Sequence, residues 1–150
     1  MELMDIVAEL KNASVQMPEE KIDQFIEAVD THERIFVYGT GRSGLMLKAL
    51  AMRLMQMGYQ SYVVGETTTP SVGKGDLLIV ASASGETQSV CSAADDGAKQ
   101  GTDVLVITGS KESTLSRNHG PLIRIEAATK FSESKASIQP LGSLFEQMLL

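Results

Sequence analysis

The residues best suited to chemistry fall in three stretches of a 150-residue chain. The first, Gly39-Thr40-Gly41-Arg42-Ser43-Gly44, comes directly after the apolar run Ile35-Phe36-Val37-Tyr38. A β-branched and aromatic run breaking into glycines reads as a buried parallel strand, and the residues after it read as a helix start with free backbone N–H groups. That geometry is either a tight strand-to-helix connection or an anion cradle. Gly41 allows close backbone approach, Ser43 adds a hydroxyl donor, and Arg42 sets a positive charge near a helix N-terminus, where the helix dipole disfavours it. A cation there calls for an anion. The second stretch, Ser82-Ala83-Ser84-Gly85-Glu86-Thr87, puts three hydroxyls and a glycine at another helix start. One hydroxyl would serve as a cap, so Ser82, Ser84 and Thr87 together exceed what a helix start needs. They can surround a compact phosphate, and hydrogen bonds to a charged group contribute about 1.5 to 3 kcal/mol each.

The third stretch is the chain's last. If a helix runs from near Pro140 to Leu150, its apolar stripe is Leu141, Leu144, Phe145 and Met148, and Glu146 projects away beside Gly142, one turn earlier. A glycine there leaves room for a ligand. By spacing alone Glu146 is either a solvated helix carboxylate or a placed general base.

These residues need a frame to bring them together. Apolar runs predict strands at Ile35–Tyr38, Ser61–Val64, Leu77–Ala81, Val104–Thr108 and Leu122–Ile125. Helical periodicity predicts a first helix from Met1 to about Val15 and a second starting at Pro18, with Ile22, Phe25, Ile26 and Val29 on one face. Leu45–Met57 reads as a mostly buried helix, the Ser82–Thr87 loop leads a helix ending near Gln100, and Ser113–Arg117 is a short turn. The segment from Ala127 to Gln139 is polar and irregular, long enough for a functional loop or an interface arm. Alternating strands and helices predict an α/β fold: a three-layer αβα sandwich on a five-stranded parallel sheet of order 2-1-3-4-5. In that order strands one and three are neighbours whose helices lie on opposite faces, so both special loops flank one crevice.

Composition narrows the classes. Thirteen basic and nineteen acidic side chains give a formal charge of −6, which argues against a general nucleic-acid or membrane-surface role. The single cysteine, Cys91, excludes an internal disulfide, reads as core, and fits a reducing compartment, the cytoplasm. Lys48 and Arg53 interrupt the longest apolar runs, so no membrane span is expected. No Cys/His/Asp cluster has metal-ligand spacing, and His32 and His119 read as surface residues. Residues 1–150 are expected to form one domain, with residues 1–30 as N-terminal helices.

The two loops, Gly39–Gly44 and Ser82–Thr87, resemble those of the SIS (sugar isomerase) domain family, which has a flavodoxin-like fold and binds phosphosugars at this crevice. More narrowly, Arg53-Leu54-Met55, Val64-Gly65-Glu66-Thr67-Thr68-Thr69-Pro70 and Gln139-Pro140-Leu141-Gly142-Ser143-Leu144-Phe145-Glu146 resemble the 6-phospho-3-hexuloisomerases, a likeness running from the first helix to the chain's end. The resemblance implies a ketose-phosphate isomerase, an intramolecular oxidoreductase without cofactor. It would interconvert D-arabino-3-hexulose 6-phosphate and fructose 6-phosphate in the ribulose monophosphate pathway, beside hexulose-phosphate synthase.

Ser43, Ser82, Ser84 and Thr87 would hold the phosphate, Gly41, Arg42 and Gly85 would complete the binding loops, and Thr67 would line the sugar. Glu146 would be the base, and the family implies a homodimer or homotetramer. Family members usually extend beyond this endpoint, with a tail histidine assisting proton transfer, and the final helix reads as cut short. Two rivals stand beside this reading. A non-catalytic SIS-type phosphosugar sensor would keep the hydroxyls without needing Glu146, and an NAD-binding protein would use the GxGxxG spacing with Glu66 on the ribose.

Overall fold

All six residues of β3 (Leu77–Ser82) are buried, and the sheet extends from it on both sides. The computed structural model describes residues 2–126, 137–140 and 142–150. β1 (Arg34–Tyr38) and β4 (Asp103–Thr108) pair in parallel with β3, while β2 (Gln60–Val63) and β5 (Leu122–Arg124) form the edges. The order β2-β1-β3-β4-β5 is the one expected from the sequence.

Central strands are apolar on both faces because helices cover both. On one face Ile35 and Val37 of β1 and Ile79 of β3 pack with Leu47, Ala51 and Leu54 of α3 (Gly41–Gln56). Val29 of α2 (Glu19–Thr31) and Phe145 of α6 (Ser143–Met148) join them there, and α1 (Leu3–Gln16) adds Leu10 and Ala13. On the other face Phe36, Leu78 and Val80 pack with Val90 and Ala94 of α4 (Gln88–Lys99) and Leu115 of α5 (Thr114–Asn118). The result is the αβα sandwich.

Strand ends and the α2 start lie within a residue of the sequence reading, but the α3 and α6 starts differ by more. α3 begins at Gly41 rather than Leu45, so the glycine loop forms its first turn. A Cβ on Gly44 would lie 2.5 Å from the Gly39 carbonyl oxygen, so only glycine lets this turn sit against the end of β1. The final helix begins at Ser143 rather than Pro140, because Gly142 takes the left-handed conformation (φ 84°) and interrupts helical geometry. The predicted irregular arm falls mostly on residues 127–136, and these, with Met1 and Leu141, lie outside the described residues.

Candidate active site

β1 and β3 are adjacent, and their chains leave the same end of the sheet toward opposite faces. A cavity of roughly 420 Å³ opens there, walled by the α3 start, the loop between β3 and α4, and α6. Gly41, Arg42, Ser43, Ser82, Ser84, Thr87 and Glu146 all line it. Thr40, Ala81, Ala83, Gly142 and Phe145 complete the wall. Gly85 is buried beneath the loop, while Thr67 stands exposed on the β2–β3 connection, outside this cavity.

The hydroxyl loop is held open rather than spent on capping. Thr87 occupies the N-cap of α4 but makes no side-chain cap bond there. Its Oγ1 pairs with Ser82 Oγ at 2.8 Å, and Ser84 Oγ lies 3.4 Å from the same Ser82 oxygen. Ser82 Oγ accepts the Gly85 N–H at 3.0 Å, and Ser84 Oγ accepts the Glu86 N–H at 3.2 Å. Three hydroxyls therefore converge at the start of a twelve-residue helix. Hydroxyls so placed can each turn a donor toward an anion, and the helix start adds partial positive charge.

Gly85 makes this turn possible. Its φ is +70°, and a Cβ there would lie 2.1 Å from Ser113 Oγ and 2.5 Å from Ser113 Cβ. The Leu115 N–H donates to the Gly85 carbonyl at 3.2 Å. Glu86 ties the loop to α5 by accepting from the Thr114 N–H at 2.9 Å and the Thr114 hydroxyl at 2.6 Å. Those bonds hold the Glu86 carboxyl below its ordinary value. Nothing local in the sequence marks Thr114 as this partner, since it lies 28 positions away.

The Arg42 charge meets its anion within the chain. Its Nε donates to Glu146 Oε1 at 2.6 Å, with the Arg42 side chain 66% and the Glu146 side chain 17% exposed. α6 carries Glu146 to this place because the preceding pair, Leu144 and Phe145, is buried in the core. The space above Gly142 is occupied by this ion pair: a Cβ there would stand 3.2 Å from Glu146 Oε1 and 3.3 Å from Arg42 Nη2. The arrangement is a mostly covered carboxylate, steadied by a guanidinium, facing a phosphate-sized set of donors across one cavity.

Other candidates lie elsewhere. The two histidines, read as surface residues, are largely covered instead. His32 spans the Ala28 carbonyl (2.6 Å) and Asp103 (2.7 Å), and His119 meets Asp95 at 2.7 Å. Their side chains are only 14% and 9% exposed, because each ring docks on a carboxylate. Burial pushes the Cys91 thiol up, which disfavours the thiolate. Arg53 bonds Gln56 at 3.0 Å, and Glu66 lies 3.9 Å from Lys48. Among the described residues no group of three or more His, Cys, Asp or Glu could hold a metal ion, and no helix is long and apolar enough to cross a membrane.

Comparison with known proteins places the chain in a family and agrees with its fold. The SIS domain family model matches residues 29–149. A Bacillus subtilis (strain 168) protein named 3-hexulose-6-phosphate isomerase is 40% identical over 148 residues, 97% of this chain and 80% of that protein. A Mycobacterium gastri protein of the same name is 39% identical over 142 residues, covering 94% of this chain and 71% of the relative. A crystal structure from Methanococcus jannaschii, for which a 3-hexulose-6-phosphate isomerase function is inferred, matches with TM-score 0.82 at 32% identity, over 98% of this chain and 81% of that one.

Proposed function

The chain belongs to the SIS domain family, and from that premise we propose that it isomerises D-arabino-3-hexulose 6-phosphate and fructose 6-phosphate through a cis-enediol. The observation that carries the proposal is the convergence of the Glu146 carboxylate and the Ser82, Ser84 and Thr87 hydroxyls on one cavity. Relatives named for this activity, at 40% and 39% identity, support it.

The phosphate is taken by Ser43, Ser82, Ser84 and Thr87, with the close backbone of Gly41 and Gly85, and this anchors the sugar in the cavity. Glu146 removes the C2 proton of the 3-ketose, and the electron pair becomes the C2=C3 double bond as the C3 oxygen gains a proton. The Glu146 carboxyl then delivers a proton to C3 as the enediol collapses with loss of the O2 proton, which gives the 2-ketose and restores the carboxylate. No electrons enter or leave, so the chemistry needs only a base and polarising donors. Arg42 orients the carboxylate and puts positive charge beside the developing enediolate. Thr67 is exposed in the single chain, so its part in sugar binding depends on a neighbouring subunit.

The wider reading takes residues 1–150 as one functional unit in the cytoplasm. There it consumes the product of hexulose-phosphate synthase, within the ribulose monophosphate route that fixes formaldehyde. Exposed Leu3, Met4 and Val7 on α1, Ile22 and Ile26 on α2, and Met52 and Met55 on α3 support assembly into a homodimer or homotetramer. The test is a coupled assay with purified synthase, ribulose 5-phosphate and formaldehyde. Fructose 6-phosphate should accumulate only when this chain is added. Saturable fructose 6-phosphate binding without production would reduce the protein to a phosphosugar sensor.

A further inference from the structure

A base is only as good as its placement, and the helix that carries Glu146 has six residues. Leu144 and Phe145 anchor α6 through its buried side. Its register is set by the residue after the base. Gln147 Nε2 donates to Gln139 Oε1 at 2.8 Å, and Gln139 Nε2 donates back to Gln147 Oε1 at 3.0 Å. Two opposed bonds between planar amides fix both distance and orientation.

Gln139 is itself only 8% exposed, and its amide is tied on the far side as well. Its Nε2 donates to Glu9 Oε2 at 2.8 Å, and the Ile138 N–H donates to Glu9 Oε1 at 2.8 Å. Glu9 sits on α1, and both of its carboxylate oxygens are engaged in holding the segment that leads into α6. Burial raises the Glu9 carboxyl, but the bonds from Gln139, Ser137 and the Ile138 N–H outweigh it and hold the group below its ordinary value. The ionised form is therefore the one that makes the contacts. α1 also touches α6 directly, where Ser14 Oγ meets Met148 Sδ at 3.9 Å.

We propose that Glu9 is a positioning residue for the isomerisation: acting through Gln139 and Gln147, it fixes α6 so that the Glu146 carboxylate meets the reacting carbon. The inference rests on Glu146 being the base. The phosphate loops stand on β1 and β3 and make none of these contacts. Loss of Glu9 therefore separates turnover from phosphate binding, whereas a general structural defect would degrade both.

The experiment compares wild type, Glu9→Ala, Glu9→Gln, Glu146→Gln and the Glu9→Ala/Glu146→Gln double variant in the synthase-coupled assay, with inhibition by inorganic phosphate and melting temperature measured alongside. Glu9→Ala should lower kcat by about 10- to 100-fold, the scale expected when a reacting group is displaced by an ångström or less. KM and phosphate inhibition should stay within about twofold of wild type. Glu9→Gln, which keeps the size and one acceptor oxygen, should recover part of the loss. In the Glu146→Gln background Glu9→Ala should cost nothing further, because there is no base left to misplace.

Wild-type turnover in Glu9→Ala, with Glu146→Gln inactive, would overturn this inference alone. So would an equal loss from Glu9→Ala in both backgrounds, or parallel losses in kcat and phosphate binding. Normal turnover in Glu146→Gln would overturn the base assignment, and this inference with it.

Discussion

Arg42 and Glu146 answer each other at the cavity mouth, and the consequences can be read at single side chains. Glu146→Gln removes the proposed proton acceptor but keeps the shape, so turnover should fall by on the order of 10²- to 10⁴-fold while inhibition by inorganic phosphate holds. Ser84→Ala should do the reverse, weakening phosphate inhibition by about tenfold or more through loss of a hydrogen bond to a charged group. Gly142→Ala would put a methyl 3.2 Å from Glu146 Oε1 at a φ of +84°, so turnover should drop without loss of phosphate binding. Steady-state kinetics with phosphate as a competitive inhibitor separates these cases. Glycine spacing and an excess of hydroxyls made the two loops legible in sequence. Thr67, which the family resemblance sets against the sugar, stands exposed outside the cavity. Thr114, Gln139 and Gln147 carry no local signal, because their partners are set by tertiary packing.

The Ser82–Thr87 loop is held in place by α5. Gly85 lies against Ser113, Leu115 bonds the Gly85 carbonyl, and Glu86 caps Thr114, so loop and helix start form one unit. Gly85→Ala would drive a methyl to 2.1 Å from Ser113 Oγ at a positive φ, and the loop would have to move. We expect a lowered melting temperature and loss of phosphate inhibition together, seen by calorimetry and kinetics on one preparation. Strands were legible to within a residue or two, since buried central strands read as unbroken apolar runs. Helix starts were less so. The α3 boundary moved to Gly41 and the α6 boundary to Ser143, because the glycines serve at Gly44 as a close-approach residue and at Gly142 as a left-handed break.

On the scale of the whole molecule, chemistry and stability are assigned to opposite ends of the sheet. The strand order expected of alternating strands and helices puts the two loops beside one crevice and collects the site at one end. The other end holds two ionic contacts that no motif announced. Arg34 Nε donates to the buried Asp76 at 2.9 Å, and Gly73 N–H to the same carboxylate at 2.8 Å. Burial raises the Asp76 carboxyl, but the Arg34 guanidinium and the Gly73 N–H outweigh it and hold the group below its ordinary 3.8. Its contribution is therefore present above 3.8 and lost as pH falls through the lower folded value. Arg34→Gln should lower the melting temperature at neutral pH, read by calorimetry, because it leaves that carboxylate short of a partner.

His32 has the opposite sign. Burial lowers its value, but the bonds to Asp103 and the Ala28 carbonyl raise it above the ordinary 6.5. Its contribution is complete below 6.5 and lost as pH rises through the raised folded value. Melting temperature should therefore decline over this interval in wild type and decline less in Asp103→Asn.

The proposed isomerisation, with Glu146 as base, would run through a 2,3-enediol, and proton exchange reads that step directly. Fructose 6-phosphate incubated with the protein in D2O, followed by NMR, should exchange its C3 proton for deuterium with wild type and keep it with Glu146→Gln. Deuterium at C1 instead would mean a different enediol, and a C3 proton retained while fructose 6-phosphate binds and no 3-ketose forms would mean no base acts there. Either result would contradict the proposed reaction.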